Sequence, residues 1–148
     1  MSLKARINDD MKAAMRSGDK LRLGNIRMLM AAVKQREVDD RREMADPDVL
    51  SIVEKLIKQR REAATQFAAA GRSDLEAKEL DEARQLSEYL PVQLAETEVA
   101  ALIEAAIQAT GAAGIRDMGK VIGALRPQIQ GRADMGAVSG LVKARLGG

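Results

Sequence analysis

The sequence contains neither cysteine nor histidine, and these absences exclude several kinds of chemistry. Without cysteine there can be no disulfide and no thiolate nucleophile. Histidine is the usual general base near neutral pH and the commonest metal ligand, so catalytic triads and zinc hydrolysis are excluded as well. We therefore expect no catalytic residue, no metal and no cofactor in this chain.

Aromatic residues and long apolar runs are also scarce. Phe67 and Tyr89 are the only aromatic residues, which excludes a base-stacking platform for single-stranded nucleic acid. No stretch approaches the roughly 20 apolar residues that span a bilayer, and the first residues lack the apolar run of a signal peptide. With no cysteine to suggest an oxidising compartment, we expect a cytoplasmic protein without a membrane partner.

Apolar residues recur at helical spacing along nearly the whole chain. This pattern predicts an all-α fold, with an N-terminal four-helix bundle over residues 1–91 and a smaller three-helix module over residues 92–148. The boundary lies at Pro91, after which glycine becomes more frequent and charge less frequent. The sequence shows us no internal repeat.

Three helix starts are marked by aspartate. Asp46 followed by Pro47 predicts an N-cap with proline at the first helical position. Asp117 and Asp134 are predicted to cap the last two helices.

Positive charge is concentrated near the C-terminus. Residues 1–91 carry 18 basic and 17 acidic side chains, whereas residues 115–148 carry six basic and two acidic ones. The basic run Lys58-Gln59-Arg60-Arg61 lies beside carboxylates, so we interpret it as a solvated face. In the C-terminal module we expect a phosphate-binding patch made by Lys120, Arg132 and Lys143, with Arg116 and Arg126 at its edges.

A plain packed module with solubilising charges remains an alternative to that patch. Glycines in the last two helices nevertheless lower helix propensity, which suits close approach of the helix backbones to each other or to another molecule.

Several separated motifs of the chain resemble those of one known family. They are Glu88-Tyr89-Leu90-Pro91, Asp117-Met118-Gly119-Lys120-Val121, Gly131-Arg132-Ala133-Asp134, Leu141-Val142-Lys143, and, further upstream, Arg27, Lys58-Gln59-Arg60 and Ala70-Gly71-Arg72. In this order they resemble the YqeY family, whose C-terminal module is similar to the tail of the B subunit of the tRNA-dependent amidotransferase. Ala95 departs from the family, which usually has Ser or Thr there.

The resemblance implies a tRNA-binding or tRNA-associated accessory protein, with the five basic residues named above contacting RNA phosphate. One alternative is a protein adaptor for an amidotransferase or an aminoacyl-tRNA synthetase. Another is carbon–nitrogen ligase activity with glutamine as amide donor. The catalytic centres of the larger enzyme lie outside the shared tail, so the resemblance implies no active site here.

Overall fold

A computed structural model describes residues 1–147 of the chain, and within that range all regular secondary structure is helical. The fold class is therefore all-α, as the apolar periodicity predicted. The chain divides into two compact units, Met1–Leu90 and Pro91–Gly148, which are described separately. The helices are α1 (Leu3–Ser17), α2 (Lys20–Asp40), α3 (Asp46–Ala69), α4 (Ser73–Ser87), α5 (Glu96–Thr110), α6 (Met118–Ile129) and α7 (Met135–Gly147), with a 3₁₀ turn at Ile115–Asp117.

Helices α1 to α4 form the first unit around one apolar core. Leu29 of α2, Val49 and Val53 of α3 and Leu86 of α4 are almost completely buried there. Burial of such side chains contributes roughly 1.5–3 kcal/mol each, which makes this cluster the main source of the unit's stability. Because aromatic residues are scarce, the core consists almost entirely of aliphatic side chains.

The start of α3 differs from the predicted cap. Ala45 is the N-cap residue, and Asp46 lies inside the helix. The Asp46 carboxylate instead accepts a hydrogen bond of 2.9 Å from the backbone N–H of Leu3. Asp48 accepts the hydrogen bond from the Ala45 N–H at 3.0 Å. The carboxylate that the local pattern assigned to the cap thus accepts from a backbone N–H that is 43 residues away in sequence.

A polar cluster connects the end of the first unit to α1 and α2. The buried Tyr89 hydroxyl donates a hydrogen bond of 2.7 Å to Asp10, and the guanidinium of Arg6 lies 5.0 Å from the ring centroid. Arg22 forms ion pairs with Asp10 at 4.0 Å and Glu88 at 3.3 Å. These contacts hold the residues just before Pro91 against two other helices.

A second polar cluster lies between α2, α3 and α4. The buried Asn25 donates to the backbone carbonyl of Glu82 at 3.1 Å and to the side chain of Gln85 at 3.2 Å. Arg60 forms ion pairs with Glu79 at 3.4 Å and with Glu82 at 3.3 Å. Part of the basic run read as a solvated face therefore points between helices, since the side chain of Arg60 is only 23% exposed.

The second unit has its own apolar core between α5, α6 and α7. Val121, Leu125 and Ile129 on α6 and Val142 on α7 have no exposed surface. Pro127 lies inside α6, which ends two residues later. Proline removes one backbone donor and crowds the preceding turn, so an end close behind it is expected.

Within residues 1–147, no single helix is long and apolar enough to cross a membrane. Glu96–Thr110 and Ile115–Ile129 meet that criterion only when taken together, and they are bent by 96° relative to each other. No group of three or more Asp or Glu side chains in the same described range could hold a metal ion.

Candidate functional site

Helices α6 and α7 and the turn between them carry most of the predicted basic residues. Helix α6 buries Val121, Leu125 and Ile129 in the core and α7 buries Val138 and Val142, which leaves the opposite side of each helix in solvent. The predicted site residues fall into two groups, those with partners inside the chain and those without.

Arg132 belongs to the first group. It sits in the turn between α6 and α7, where its Nε donates to the backbone carbonyl of Val92 at 3.2 Å. Its own carbonyl accepts from the Leu94 N–H at 2.8 Å, and Gln93 donates to the Gly131 carbonyl at 2.7 Å. Arg132 therefore ties the segment preceding α5 to this turn, a role that sequence reasoning missed, as it missed Gln93.

Lys120 is also engaged. Its ammonium lies 3.8 Å from the carboxylate of Asp117. Asp117 is the N-cap residue of α6, as predicted, but its carboxylate makes no capping hydrogen bond and accepts instead from the Ala113 N–H at 2.9 Å. That backbone hydrogen bond, helped by the charges of Lys120 and Arg116, lowers the pKa of Asp117 below its usual value. Asp134, in contrast, accepts from the Gly136 N–H at 3.3 Å at the start of α7, as predicted.

Arg116, Arg126 and Lys143 form the second group. All three are exposed, and none has an ion-pair partner within the described residues. Arg145, which was not among the predicted site residues, forms a two-pronged ion pair with Glu104 of α5. Two of the three residues expected at the centre of the patch thus have partners in the chain, while both expected at its edges do not.

Comparison of α6 with α7 reveals an internal repeat that our reading of the sequence missed. Residues seventeen apart match as Asp117/Asp134, Met118/Met135, Gly119/Gly136, Val121/Val138, Gly123/Gly140 and Arg126/Lys143. The paired valines are buried in both helices. An offset of this size was detectable from sequence, but the structure makes it evident by placing both copies at equivalent positions of two packed helices.

The exposed members of the repeat share one face on each helix. Positions four and seven residues after Gly119 are rotated from it by about 40° and about −20° on an α-helix, so Gly123 and Arg126 lie beside it. Gly136, Gly140 and Lys143 repeat this spacing on α7. A side chain added at Gly119, Gly123 or Gly140 would meet no other atom within 4 Å.

A protein-family model described as Yqey-like protein matches residues 4–146. This match spans nearly the whole chain. The chain belongs to the YqeY family. The motifs that suggested this family on the sequence alone therefore identified it correctly.

Several curated relatives of this YqeY-family chain are fungal proteins, each named Altered inheritance of mitochondria protein 41, mitochondrial. The one from Eremothecium gossypii is 39% identical over 105 residues, covering 68% of this chain and 57% of the relative. The one from Kluyveromyces lactis is 36% identical over 92 residues, covering 60% and 50%. The one from Pyrenophora tritici-repentis is 31% identical over 131 residues, covering 86% and 71%. The chain spans about half the length of the first two.

These names correct two expectations. The relatives are named as mitochondrial proteins, so the cytoplasmic assignment is wrong. The lack of cysteine gave no sign of an oxidising compartment, but amino-acid composition cannot distinguish one reducing compartment from another. The names refer to the inheritance of mitochondria and to neither tRNA nor amide transfer. The predicted tRNA-associated function and its amidotransferase, synthetase and ligase alternatives are therefore contradicted as well.

Proposed function

We propose that this chain is a binding protein that acts in the process for which its relatives are named, the inheritance of mitochondria, by docking to an acidic surface of a partner protein. The contact surface is the repeated face of α6 and α7, which consists of Gly119, Gly123 and Arg126 together with Gly136, Gly140 and Lys143. We call it the glycine–cation face. The observation that carries the proposal is the occurrence of this same face on both helices.

The glycines of this face lower the stability of the second unit. Glycine inside a helix costs roughly 0.5–1 kcal/mol relative to alanine, so four of them cost about 2–4 kcal/mol. Three of the four have no atom near the missing Cβ, so packing inside the chain does not require the glycines there. A partner that comes close to the helix backbone would require them.

The cations of the face supply a preference for negative charge. Arg126 and Lys143 lie beside the glycines and have no partner among residues 1–147, unlike Lys120 and Arg145. Complementary charge at the edge of an interface speeds association and disfavours wrong partners. An acidic protein surface therefore fits the face better than a neutral one.

The proposal includes the grouping of the helices into a four-helix unit and a three-helix unit that act as separate modules. Two separate hydrophobic clusters support it, one around Leu29 and Val53 and the other around Leu125 and Val142. In this view the second unit carries the glycine–cation face, and the first supplies a different surface.

Complementation in Saccharomyces cerevisiae, which contains a relative 32% identical over 85 residues, tests the proposal. In a strain lacking that relative, the chain joined to a mitochondrial leader should restore transmission of mitochondria to daughter cells. The variant Arg126→Gln/Lys143→Gln should restore much less. The matched control Lys120→Gln/Arg145→Gln removes the same charge from residues that already have partners, and should restore transmission fully.

Equal complementation by both double variants would refute the role of the glycine–cation face. Failure of the unmodified chain, when microscopy shows it inside mitochondria, would refute its participation in mitochondrial inheritance.

A further inference from the structure

Helix α2 presents an unbalanced positive charge in the first unit. No Asp or Glu occurs from Lys20 to Arg36, a stretch that contains five cations. Arg22 pairs with Asp10 and Glu88, and Arg36 pairs with Asp40. The remaining three, Lys20, Arg27 and Lys34, are exposed, and the described part of the chain offers none of them an ion-pair partner within 4 Å.

These three cations form a straight line on the helix. Each is seven residues from the next, which corresponds to about 10.5 Å along the axis and a rotation only about 20° short of two turns. Gly24 and Ala31 lie between them on the same side, and both are exposed. A Cβ at Gly24 would meet no atom within 4 Å. We call these five residues the α2 stripe: Lys20, Gly24, Arg27, Ala31 and Lys34.

The carboxylates nearest the stripe in sequence are held by other groups. Asp19 accepts from the Arg22 N–H, and Asp39 accepts from Gln35. Glu37 pairs with Lys4 and accepts from the backbone N–H of Met44, although the charge of Lys34 also helps lower its pKa. The positive charge of the stripe is thus left for a partner.

In the first unit, the longest stretch of positive charge without a carboxylate lies on α2, from Lys20 to Arg36. Exposed residues of the neighbouring helix α1 are of both signs, such as Asp9 and Lys12, and the same is true of Lys78 and Asp74 on α4. A flat anionic surface such as a membrane would meet these acidic groups together with the cations. A narrow partner lying along α2 would meet the cations alone.

We propose that the α2 stripe docks an acidic helix of a partner protein whose carboxylates recur every seven residues. Two helices that cross at about 20° keep seven-residue positions in register over several turns, so each carboxylate can face one cation. Gly24 and Ala31 provide the shallow positions into which side chains of the partner pack. This surface lies in the first unit and does not depend on the glycine–cation face.

The test uses the full-length chain and a three-heptad peptide kept helical by lactam bridges on its far side. The peptide carries one Glu per heptad, flanked by Leu, and binding is measured by calorimetry. Replacing the three Glu residues by Gln should weaken binding about tenfold, as expected for three exposed ion pairs. A peptide of the same composition with its Glu residues five apart should bind about fivefold more weakly, because only one of them can face the stripe and two of the three ion pairs are lost.

Two sets of chain variants complete the test. Lys20→Gln/Arg27→Gln/Lys34→Gln should lose about tenfold in affinity, whereas the control Lys55→Gln/Lys58→Gln/Arg61→Gln, on exposed positions of α3, should bind the peptide normally. Gly24→Leu/Ala31→Leu keeps every charge and should weaken binding by filling the shallow positions. Circular dichroism verifies that each variant is folded.

The proposal is overturned if both charge variants lose affinity equally, or if the evenly and unevenly spaced peptides bind alike. It is also overturned if the chain ignores the peptide and binds anionic vesicles or duplex RNA through the same three cations.

Discussion

The buried hydroxyl of Tyr89 makes the stability of the chain sensitive to alkaline pH. Burial raises the pKa of this hydroxyl far above its ordinary value of 10.0, and the hydrogen bond to Asp10 and the negative charge of Asp10 raise it further. The positive charges of Arg22 and Arg6 act in the opposite direction without cancelling the increase. In the folded chain the tyrosine therefore stays protonated at a pH where the unfolded chain ionises.

The sign of the effect follows from this difference in pKa. The hydroxyl's contribution to stability is fully present below the unfolded pKa near 10 and is lost as pH rises towards the higher folded pKa. In that window the free energy of unfolding should fall by about 1.4 kcal/mol per pH unit for this one proton. Lysine side chains titrate in the same region, so the Tyr89 contribution must be isolated with a variant.

Tyr89→Phe is that variant. A hydrogen bond to a charged group contributes roughly 1.5–3 kcal/mol, and we expect about 1–2 kcal/mol here because the Asp10 side chain is 31% exposed and can turn towards water. The variant should therefore be less stable at pH 7 and lack the tyrosine part of the alkaline slope. The difference between the two proteins should vanish about one pH unit above 10.

Two measurements check this reasoning. Urea unfolding followed by circular dichroism gives the stability of both proteins between pH 8 and pH 11. Because Tyr89 is the only tyrosine and the chain has no tryptophan, near-ultraviolet tyrosinate absorbance reports this residue alone. A native chain whose tyrosine titrates near pH 10 while the helices remain intact would refute the argument, and so would an equal alkaline slope in Tyr89→Phe.

Three further predictions concern other parts of the molecule. Gly24→Ala should raise the free energy of unfolding by about 0.5–1 kcal/mol in urea titrations, because its Cβ meets nothing, whereas Gly18→Ala should lower it by about 1 kcal/mol, because Gly18 has a φ of 72°. Leu125→Ala should cost about 2–5 kcal/mol and speed hydrogen exchange in α5 to α7, and equal acceleration in α1 to α4 would contradict separate modules. The hydrogen bond and charge of Arg42 lower the pKa of Asp48 to about 2 from 3.8, so its stabilising contribution, present above pH 3.8, should be lost as pH falls towards 2. The Asp48→Asn variant should lack this contribution, so the pH midpoint of its acid unfolding should differ from that of the parent chain. Equal midpoints would disprove the prediction.

The local sequence pattern was sufficient to predict the helices but not the hydrogen bonds at several of their ends. The periodicity predicted the all-α class, because burial of an apolar stripe imposes the same spacing on every helix. The assignment of Asp46 as a cap failed because its carboxylate accepts from the Leu3 N–H. Asp117 is the N-cap residue of α6 as predicted, but its carboxylate accepts from the Ala113 N–H and makes no capping hydrogen bond. Which donor a carboxylate accepts from depends on how the chain folds back, and local sequence does not specify that.

The candidate site shows the same division. The sequence by itself determined the all-α class, the YqeY family and the excess of positive charge after residue 115, because composition, periodicity and motif order are properties of the chain before it folds. Only the tertiary structure decided which of the basic side chains have a partner within the chain. Arg132 donates to the Val92 carbonyl and Arg145 pairs with Glu104, while Arg126 and Lys143 have no ion-pair partner among residues 1–147. Side chains of the same type at similar spacing differ in this way because ion pairs and hydrogen bonds form between groups that folding brings within about 3–4 Å, whatever their separation in sequence.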